Sequence, residues 1–334
     1  MRILCASSID PSTVAALSID HEVVTAFGAS EPVLTEVIAG CDVLVFRSGV
    51  TITASVLDAA PTLSLILRAG SGFENIDLDV VRRRGIRFVR IPGPGANAVA
   101  ELSFAMMLAL ARNLFWADRS WRAGQWVKEQ AEGRLLTGRV LGVVGAGNIG
   151  ARVGEMGAAW GMRVLGCVEN LDQTLAGDLA SRGIEAADMQ TVLREADFVS
   201  VHVPLQDSTR HLIDASALKS MKPGGYLVSL ARGGVVDELA LRDALETGHL
   251  AGAGLDVHAV EGEGRIPLLA GLSNVVLTPH IGASTVDSQR EIGRVIVDCI
   301  AQAVLDPPKL VPHSEDFFVV DGSTPPRQEA RGMP

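Results

Sequence analysis

Three stretches of this sequence hold side chains that could act together on a small molecule. The first is Gly145-Ala146-Gly147-Asn148-Ile149-Gly150, a G-x-G-x-x-G that follows the apolar run Val140 to Val144 and opens a helical pattern towards Trp160. A second apolar run, Arg163 to Val168, ends in Glu169, 19 residues past the last glycine. In that context Gly145 allows a tight turn, Gly147 lets backbone N–H groups approach a pyrophosphate, and Gly150 lets the helix pack on the strand. A carboxylate at Glu169 accepts from a ribose diol and repels a 2′-phosphate, so the spacing predicts NAD rather than NADP. Asn170 offers no cation there, which supports the same choice. The competing reading is an ordinary glycine-rich turn.

The second stretch, Ala231-Arg232-Gly233-Gly234, follows the run Tyr226 to Leu230. Carboxyl ends of strands face the ligand crevice of an open α/β sheet, and a guanidinium fork held there suits a carboxylate. The third, Leu277-Thr278-Pro279-His280-Ile281-Gly282, places a histidine at another strand end. Histidine titrates near neutrality and can exchange the proton that accompanies hydride transfer to or from a carbonyl. A lone loop histidine is more often structural. The run Gly254 to Glu261 changes that balance by offering two acids, Asp256 and Glu261, either of which could sit against an imidazole.

Elements must hold these groups in place. Apolar runs at Ile3 to Ala6, Val43 to Phe46, Leu65 to Leu67 and Arg87 to Val89 alternate with helical patterns, and a second series runs from Val140 through Phe198 to Val201, Ala253 to Leu255 and Val275 to Leu277. This alternation predicts an α/β chain with two parallel sheets. Ile91-Pro92-Gly93-Pro94-Gly95 is expected to interrupt regular structure as a hinge, with Asn97 capping the next helix. That helix, Ala98 to about Phe115, is apolar nearly all round and is expected to be interior or to join two copies through Phe104, Met107 and Leu108. A last amphipathic helix, Val286 to Val304, precedes a tail that is expected to fray from Asp321 onward.

Composition narrows the function classes. With 29 Lys and Arg against 39 Asp and Glu, the net charge of −10 argues against nucleic acid as a partner. The longest strongly apolar stretch, Leu102 to Ala111, is half the ~20 residues needed to cross a bilayer, and the N-terminus reaches Asp10 and Pro11 before a signal-peptide core could form. Four well-separated cysteines, Cys5, Cys41, Cys167 and Cys299, form no C-x-x-C pair, so buried thiols in the cytoplasm are expected, with neither metal site nor disulfide.

Taken with Arg47-Ser48, the Arg68 to Asp77 run, His202-Val203-Pro204-Leu205 and Met221-Lys222-Pro223-Gly224, these motifs make the chain resemble the D-isomer-specific 2-hydroxyacid dehydrogenases over almost its whole length, most of all their phosphoglycerate dehydrogenase branch. The resemblance implies a flavodoxin-like substrate domain of residues 1–97 and 286–334, a Rossmann-like NAD-binding domain of residues 98–285, and a cleft between them. It implies that Arg232 binds and polarises a 2-oxo acid, His280 is the acid/base, Glu261 pairs with His280, and Asp256 holds the nicotinamide carboxamide. By the same resemblance Ser71 and Gly72 grip the substrate carboxylate, Asn148 and Ile149 the pyrophosphate, and Val203, Pro204 and Thr209 the adenosine side; His202, Ala231 and Gly282 join this cofactor set.

Departures from the family pattern are Asn148 for an arginine, Gly262 for a proline, His258 for an aromatic and Gly95 for an asparagine, and Glu263 stands as a second candidate partner for His280. Arg47 and Arg68 match arginines that grip phosphate in the phosphoglycerate branch, and Lys128 falls where a partner subunit supplies a further cation. A small acid with a second anionic group is therefore the expected substrate, unless these arginines pair with local acids such as Asp42 or Glu74. Alternatives are a glyoxylate or hydroxypyruvate reductase and a non-catalytic NAD-sensing interaction protein on the same fold. Glu261 counts against formate dehydrogenases, which carry a neutral amide there. The end of the chain leaves no room for a regulatory domain, so no serine feedback is expected.

Overall fold

The computed structural model describes residues 1–70, 72, 75–306 and the backbone of 317–319. The chain divides into two compact units, Met1–Gly95 with Ser284–Pro334, and Ala96–Ala283.

The first unit opens with β1 (Arg2–Cys5), α1 (Pro11–Leu17), β2 (Glu22–Thr25), α2 (Glu31–Val37), β3 (Val43–Phe46), α3 (Ala54–Asp58), β4 (Leu65–Arg68), α4 (Leu78–Arg84) and β5 (Arg87–Arg90). Every residue of β3 and β4 is buried, as befits parallel strands covered by helices on both faces. α5 (Gly93–Ala111) then leads to α6 (Leu114–Arg122).

The second unit continues with β6 (Val140–Val144), α7 (Asn148–Ala159), β7 (Arg163–Cys167), α8 (Gln173–Ser181), β8 (Ile184–Ala186), α9 (Met189–Glu195), β9 (Phe198–Val201), α10 (Ala215–Ser220), β10 (Gly225–Ser229), α11 (Glu238–Glu246), β11 (Leu250–Leu255) and β12 (Val275–Leu277). Its sheet order, β12-β11-β10-β9-β6-β7-β8, is parallel and doubly wound, with the reversal beside β6. Aspartates start its helices: Asp172, Asp188, Asp214 and Asp237 each accept an N–H from the first turn.

Back in the first unit, α12 (Val286–Leu305) and β13 (Phe317–Val319) complete a parallel sheet of order β13-β5-β4-β3-β1-β2. The apolar face of α12 packs Ile292, Ile296 and Ile300 into a core with Ile3, Val43 and Leu67. The expected fraying tail from Asp321 onward lies outside the described residues.

Two local expectations are corrected. The Gly93-Pro94-Gly95 segment is the first turn of α5, so Asn97 lies inside the helix rather than capping it. Proline is tolerated in a first turn, where its missing N–H has no intrahelical partner anyway. The helix also ends at Ala111 rather than near Phe115, because Asn113 takes a left-handed conformation (φ 51°) between α5 and α6. Although α5 is long and apolar enough to cross a membrane by length and composition, Ala100, Phe104, Met106, Met107 and Ala111 are each at most 3% exposed. They pack with Leu141, Val143 and Val228 of the second unit's sheet. Phe104 and Met107 are therefore covered by their own chain and need no second copy.

Candidate active site

The turn between β6 and α7 forms an open, glycine-lined cradle. Gly145 (φ 89°) sits where an L side chain is strained, and a Cβ there would lie 2.7 Å from Val203 Cγ1 and 2.9 Å from the His202 carbonyl carbon. The Gly145 and Ala146 N–H groups both donate to the Cys167 carbonyl at 3.0 Å, which ties the turn to the end of β7. A Cβ at Gly150 would run into the Gly145 carbonyl, whereas one at Gly147 would meet nothing within 4 Å. No side chain caps α7, and Glu169 and Asn170 stand exposed just beyond β7. Open space over an uncapped helix start, with an exposed carboxylate at the next strand end, fits a dinucleotide pyrophosphate and ribose.

Other expected cofactor residues are partly committed elsewhere. His202, at the end of β9, meets Ser200 Oγ through Nε2 at 2.8 Å, while its buried Nδ1 has no partner. Burial pushes its pKa down to about 4, so the ring is neutral at physiological pH. Thr209 Oγ1 donates to the Pro204 carbonyl at 2.6 Å and accepts the Gln206 N–H at 2.8 Å, bracing its own turn. Ala231 is buried beneath the Arg232 turn.

β10, β11 and β12 are neighbours in the sheet, so their carboxyl ends bring Arg232, Asp256, Glu261 and His280 to one rim. Asp256, 1% exposed, organises the histidine loop: Oδ1 accepts from Thr278 Oγ1 at 2.5 Å and from the Ile281 N–H at 2.8 Å, and Oδ2 accepts the Gly282 N–H at 2.7 Å. With the His280 N–H donating to the Asp256 carbonyl at 2.8 Å, these bonds hold His280 at φ 55°, an uncommon conformation for a non-glycine residue.

His280 Nδ1 lies 2.9 Å from Glu261 Oε2, and Glu261 Oε1 accepts the His258 N–H at 3.0 Å. Of the two candidate partners, Glu261 and not Glu263 makes this contact. Burial opposes ionisation of Glu261, but bonds from His280 and His258 outweigh it and hold the carboxyl below the usual carboxylate range. Arg232, half-buried, donates through Nη1 to the Ala231 carbonyl at 2.7 Å.

Sequence reasoning gave no role to Glu238 or Thr278, and treated His258 only as a departure. Glu238, buried at the start of α11, accepts the Ala259 N–H at 2.5 Å, and His258 Nε2 lies 3.0 Å from the Thr278 carbonyl. Asp237-Glu238 opening a helix after the Arg232 turn is the signal that could have drawn attention to the first.

In the first unit, Arg47 and Arg68 stand at the ends of β3 and β4. The Arg68 guanidinium is buried over the Phe46 ring, 5.3 Å from its centroid, and donates to the Ala69 carbonyl at 3.2 Å. Arg47 Nη1 reaches the Ser8 carbonyl at 3.4 Å, its buried Nε has no partner, and burial pushes its pKa below the usual value. Asp42 is not its counter-ion, since that carboxylate accepts the Arg2 N–H at 2.8 Å. Gly72 is buried, whereas Ser71 and Glu74 lie outside the described residues. Lys128 is exposed in the loop after α6. No group of three or more metal-ligating side chains occurs among the described residues.

A sequence profile for the NAD-binding domain of D-isomer specific 2-hydroxyacid dehydrogenases matches residues 104–282. Hydroxypyruvate reductase of Thermotoga maritima is 42% identical over 270 residues, covering 80% of this chain and 86% of that protein. D-3-phosphoglycerate dehydrogenase of Mycobacterium leprae is 40% identical over 302 residues, 90% of this chain but 56% of that protein, so the chain spans about half its length. Among solved structures, D-lactate dehydrogenase from Aquifex aeolicus, complexed with NAD and lactic acid, superposes with a TM-score of 0.80 at 29% identity, covering 91% of this chain and 95% of that one. The cradle at Gly145 to Gly150 and the rim that carries His280 both fall within the matched segment, and on these grounds the chain belongs to the D-isomer specific 2-hydroxyacid dehydrogenase family.

Proposed function

We propose that this NAD-dependent 2-hydroxyacid oxidoreductase acts on a small D-2-hydroxy acid, or its 2-oxo counterpart, that bears a second anionic group such as a phosphate or sulfonate. The observation that carries the catalytic part is the contact between His280 Nδ1 and Glu261 Oε2 at a strand end beside the Arg232 turn. Gly145 to Gly150, Glu169, His202 to Pro204 and Asp256 are the residues assigned to hold the cofactor, which when bound would accept a hydride as NAD⁺ or supply one as NADH.

Arg232 takes the carboxylate and oxo group of the acid through its guanidinium fork. Glu261 fixes the histidine tautomer and stabilises the imidazolium, leaving Nε2 to give the proton to the carbonyl oxygen in reduction and to take it in oxidation. Gly72, with Ser71, is assigned to the substrate carboxylate.

The second anionic group is assigned to Arg47 and Arg68, with Lys128 as a further cation. A half-buried arginine whose Nε has no partner in a chain of net charge −10 supports this assignment. A second reading, a glyoxylate or hydroxypyruvate reductase, is favoured by the 42% identity to the Thermotoga reductase. We also place the protein in the cytoplasm as a homodimer, the former on its four free, buried cysteines.

The test is kcat/KM for 3-phosphohydroxypyruvate and 3-sulfopyruvate against hydroxypyruvate and glyoxylate, in the parent and in Arg47→Ala and Arg68→Ala. One charge-assisted contact is worth ~1.5–3 kcal/mol, so the dianions should lead by roughly 10- to 100-fold and lose that lead in the variants. Equal rates for uncharged side groups select the second reading, and no turnover with any oxo acid selects the interaction protein.

A further inference from the structure

We infer that Glu238 is a positioning residue for the acid/base pair, its buried carboxylate clamping the loop that carries Glu261 to the turn that carries Arg232. The inference rests on the roles proposed above for Arg232, Glu261 and His280. Glu238 is the first residue of α11, whose N-terminus is already capped by Asp237, with Oδ1 accepting the Leu239 and Ala240 N–H groups at 3.0 and 3.2 Å. An acid in a first turn favours the helix dipole from an exposed position, and burial is not needed for that. Yet Glu238 is only 9% exposed, and its Oε1 reaches out of the helix to accept the Ala259 N–H at 2.5 Å.

The adjacent N–H, that of His258, goes to Glu261 Oε1 at 3.0 Å. Two consecutive amides of one loop are thus held by two carboxylates, Glu238 from outside the loop and Glu261 from within it. The same peptide also lies close against the Arg232 turn. A Cβ at Gly233 would collide with the His258 carbonyl oxygen and come within 3.1 Å of Ala259 N. Gly233 and Glu238 together set the spacing between Arg232, which orients the acid, and Glu261, whose second oxygen orients the His280 ring.

The groups facing His280 define what the clamp controls. Glu261 is on its Nδ1, Asp256 holds the backbone of its loop, and His258 Nε2 braces the Thr278 carbonyl of that loop. Asp256 and His258 act on the backbone, so Glu261 is the carboxylate that meets the ring. Without the Glu238 acceptor, the Ala259 N–H loses its partner and the Glu261 loop its outer tie. Glu261 then draws away from Nδ1, and the imidazolium loses its stabilising charge.

The test combines kinetics with histidine NMR on the full chain, the His280 signal being identified by its loss in His280→Gln. In Glu238→Ala, and in Glu238→Asp, which keeps the charge but withdraws the oxygen, His280 should lose the downfield Nδ1–H signal of a ring bonded to a carboxylate. Oxo-acid reduction should fall ~10-fold, a fraction of the ~10²–10⁴ that a positioned acid contributes, while the NADH Kd from fluorescence stays put. Glu238→Gln, whose amide oxygen can still accept from Ala259, should recover most of both. An unmoved His280 Nδ1–H signal in the Ala and Asp variants overturns the proposal, whether or not turnover falls. Turnover that survives His280→Asn would instead overturn the acid/base reading beneath it, and the Nδ1–H signal still decides the clamp.

Discussion

The proposed acid/base, His280, has Glu261 against its Nδ1, and the charge on that partner sets what its replacement should do. Glu261 is held below the usual carboxylate range, so it stays ionised at neutral pH and is neutralised only in acid. Replacing it with glutamine removes the charge that stabilises the imidazolium, so oxo-acid reduction should fade at a lower pH in Glu261→Gln than in the parent. A pH–rate profile unchanged by that substitution would falsify the pairing as a functional one. His280→Asn should cost ~10²–10⁴ in turnover and spare NADH binding. Glu169 makes a separate prediction about the cofactor. It stands exposed past β7, where a 2′-phosphate would meet a like charge, and each ~1.4 kcal/mol of repulsion is a factor of ten. NADH should therefore beat NADPH in kcat/KM, and Glu169→Ala with Asn170→Arg should narrow the gap; equal values in the parent refute the assignment. The candidate residues of this site were legible in the sequence, and the family resemblance already paired Glu261 with His280, as the 2.9 Å contact has it, while leaving Glu263 as a second candidate. Glu263 stayed open because the choice depends on the shape of the loop, which meets Glu238 through the Ala259 N–H and passes close against Gly233, 23 and 28 residues upstream of Glu261.

At the scale of elements, strands buried on both faces were the easiest to read. Val43–Phe46 and Phe198–Val201 fall where the apolar runs placed them, since a covered parallel strand has little choice of composition. The short strands β2 and β8 escaped because neither carries a comparable apolar run: β2 is Glu-Val-Val-Thr, exposed at both ends, and β8 is Ile-Glu-Ala, exposed at its last two residues, whereas β13, although apolar as Phe-Phe-Val, lies past the last helix and outside the alternating series. α5 was misread at both ends for different reasons. Two glycines and two prolines suggested a break, yet the helix absorbs Gly93-Pro94-Gly95 in its first turn, where proline costs no hydrogen bond. At the other end the left-handed Asn113 divides what a continuous apolar pattern suggested was one helix. Apolarity all round a helix signals burial without saying by what, and here the second unit's own sheet supplies the cover.

For the whole molecule, that correction moves the argument for a dimer to a different surface. Each unit closes a core of its own, and of the α5 side chains that suggested a second copy Phe104 and Met107 are already buried in one of them, with Leu108 partly buried against it. Among the large apolar side chains that stay exposed are five further along the chain: Leu114, Phe115, Trp121, Trp126 and Leu135 are each 55–71% accessible, and the two tryptophans meet edge to face at 5.0 Å. Five large apolar side chains within 22 residues, in a chain whose net charge of −10 keeps copies apart at long range, are costly to leave in water. Burying one such side chain fully is worth ~1.5–3 kcal/mol, so covering the group with its counterpart on a second copy would contribute several kcal/mol. Sedimentation equilibrium at micromolar concentration should therefore give twice the chain mass. Trp121→Asp together with Trp126→Asp should shift the mass towards the monomer, with the near-ultraviolet tryptophan signal reporting the loss of the cluster. A parent that sediments as a monomer, or a double variant that remains fully dimeric, removes this surface as the interface.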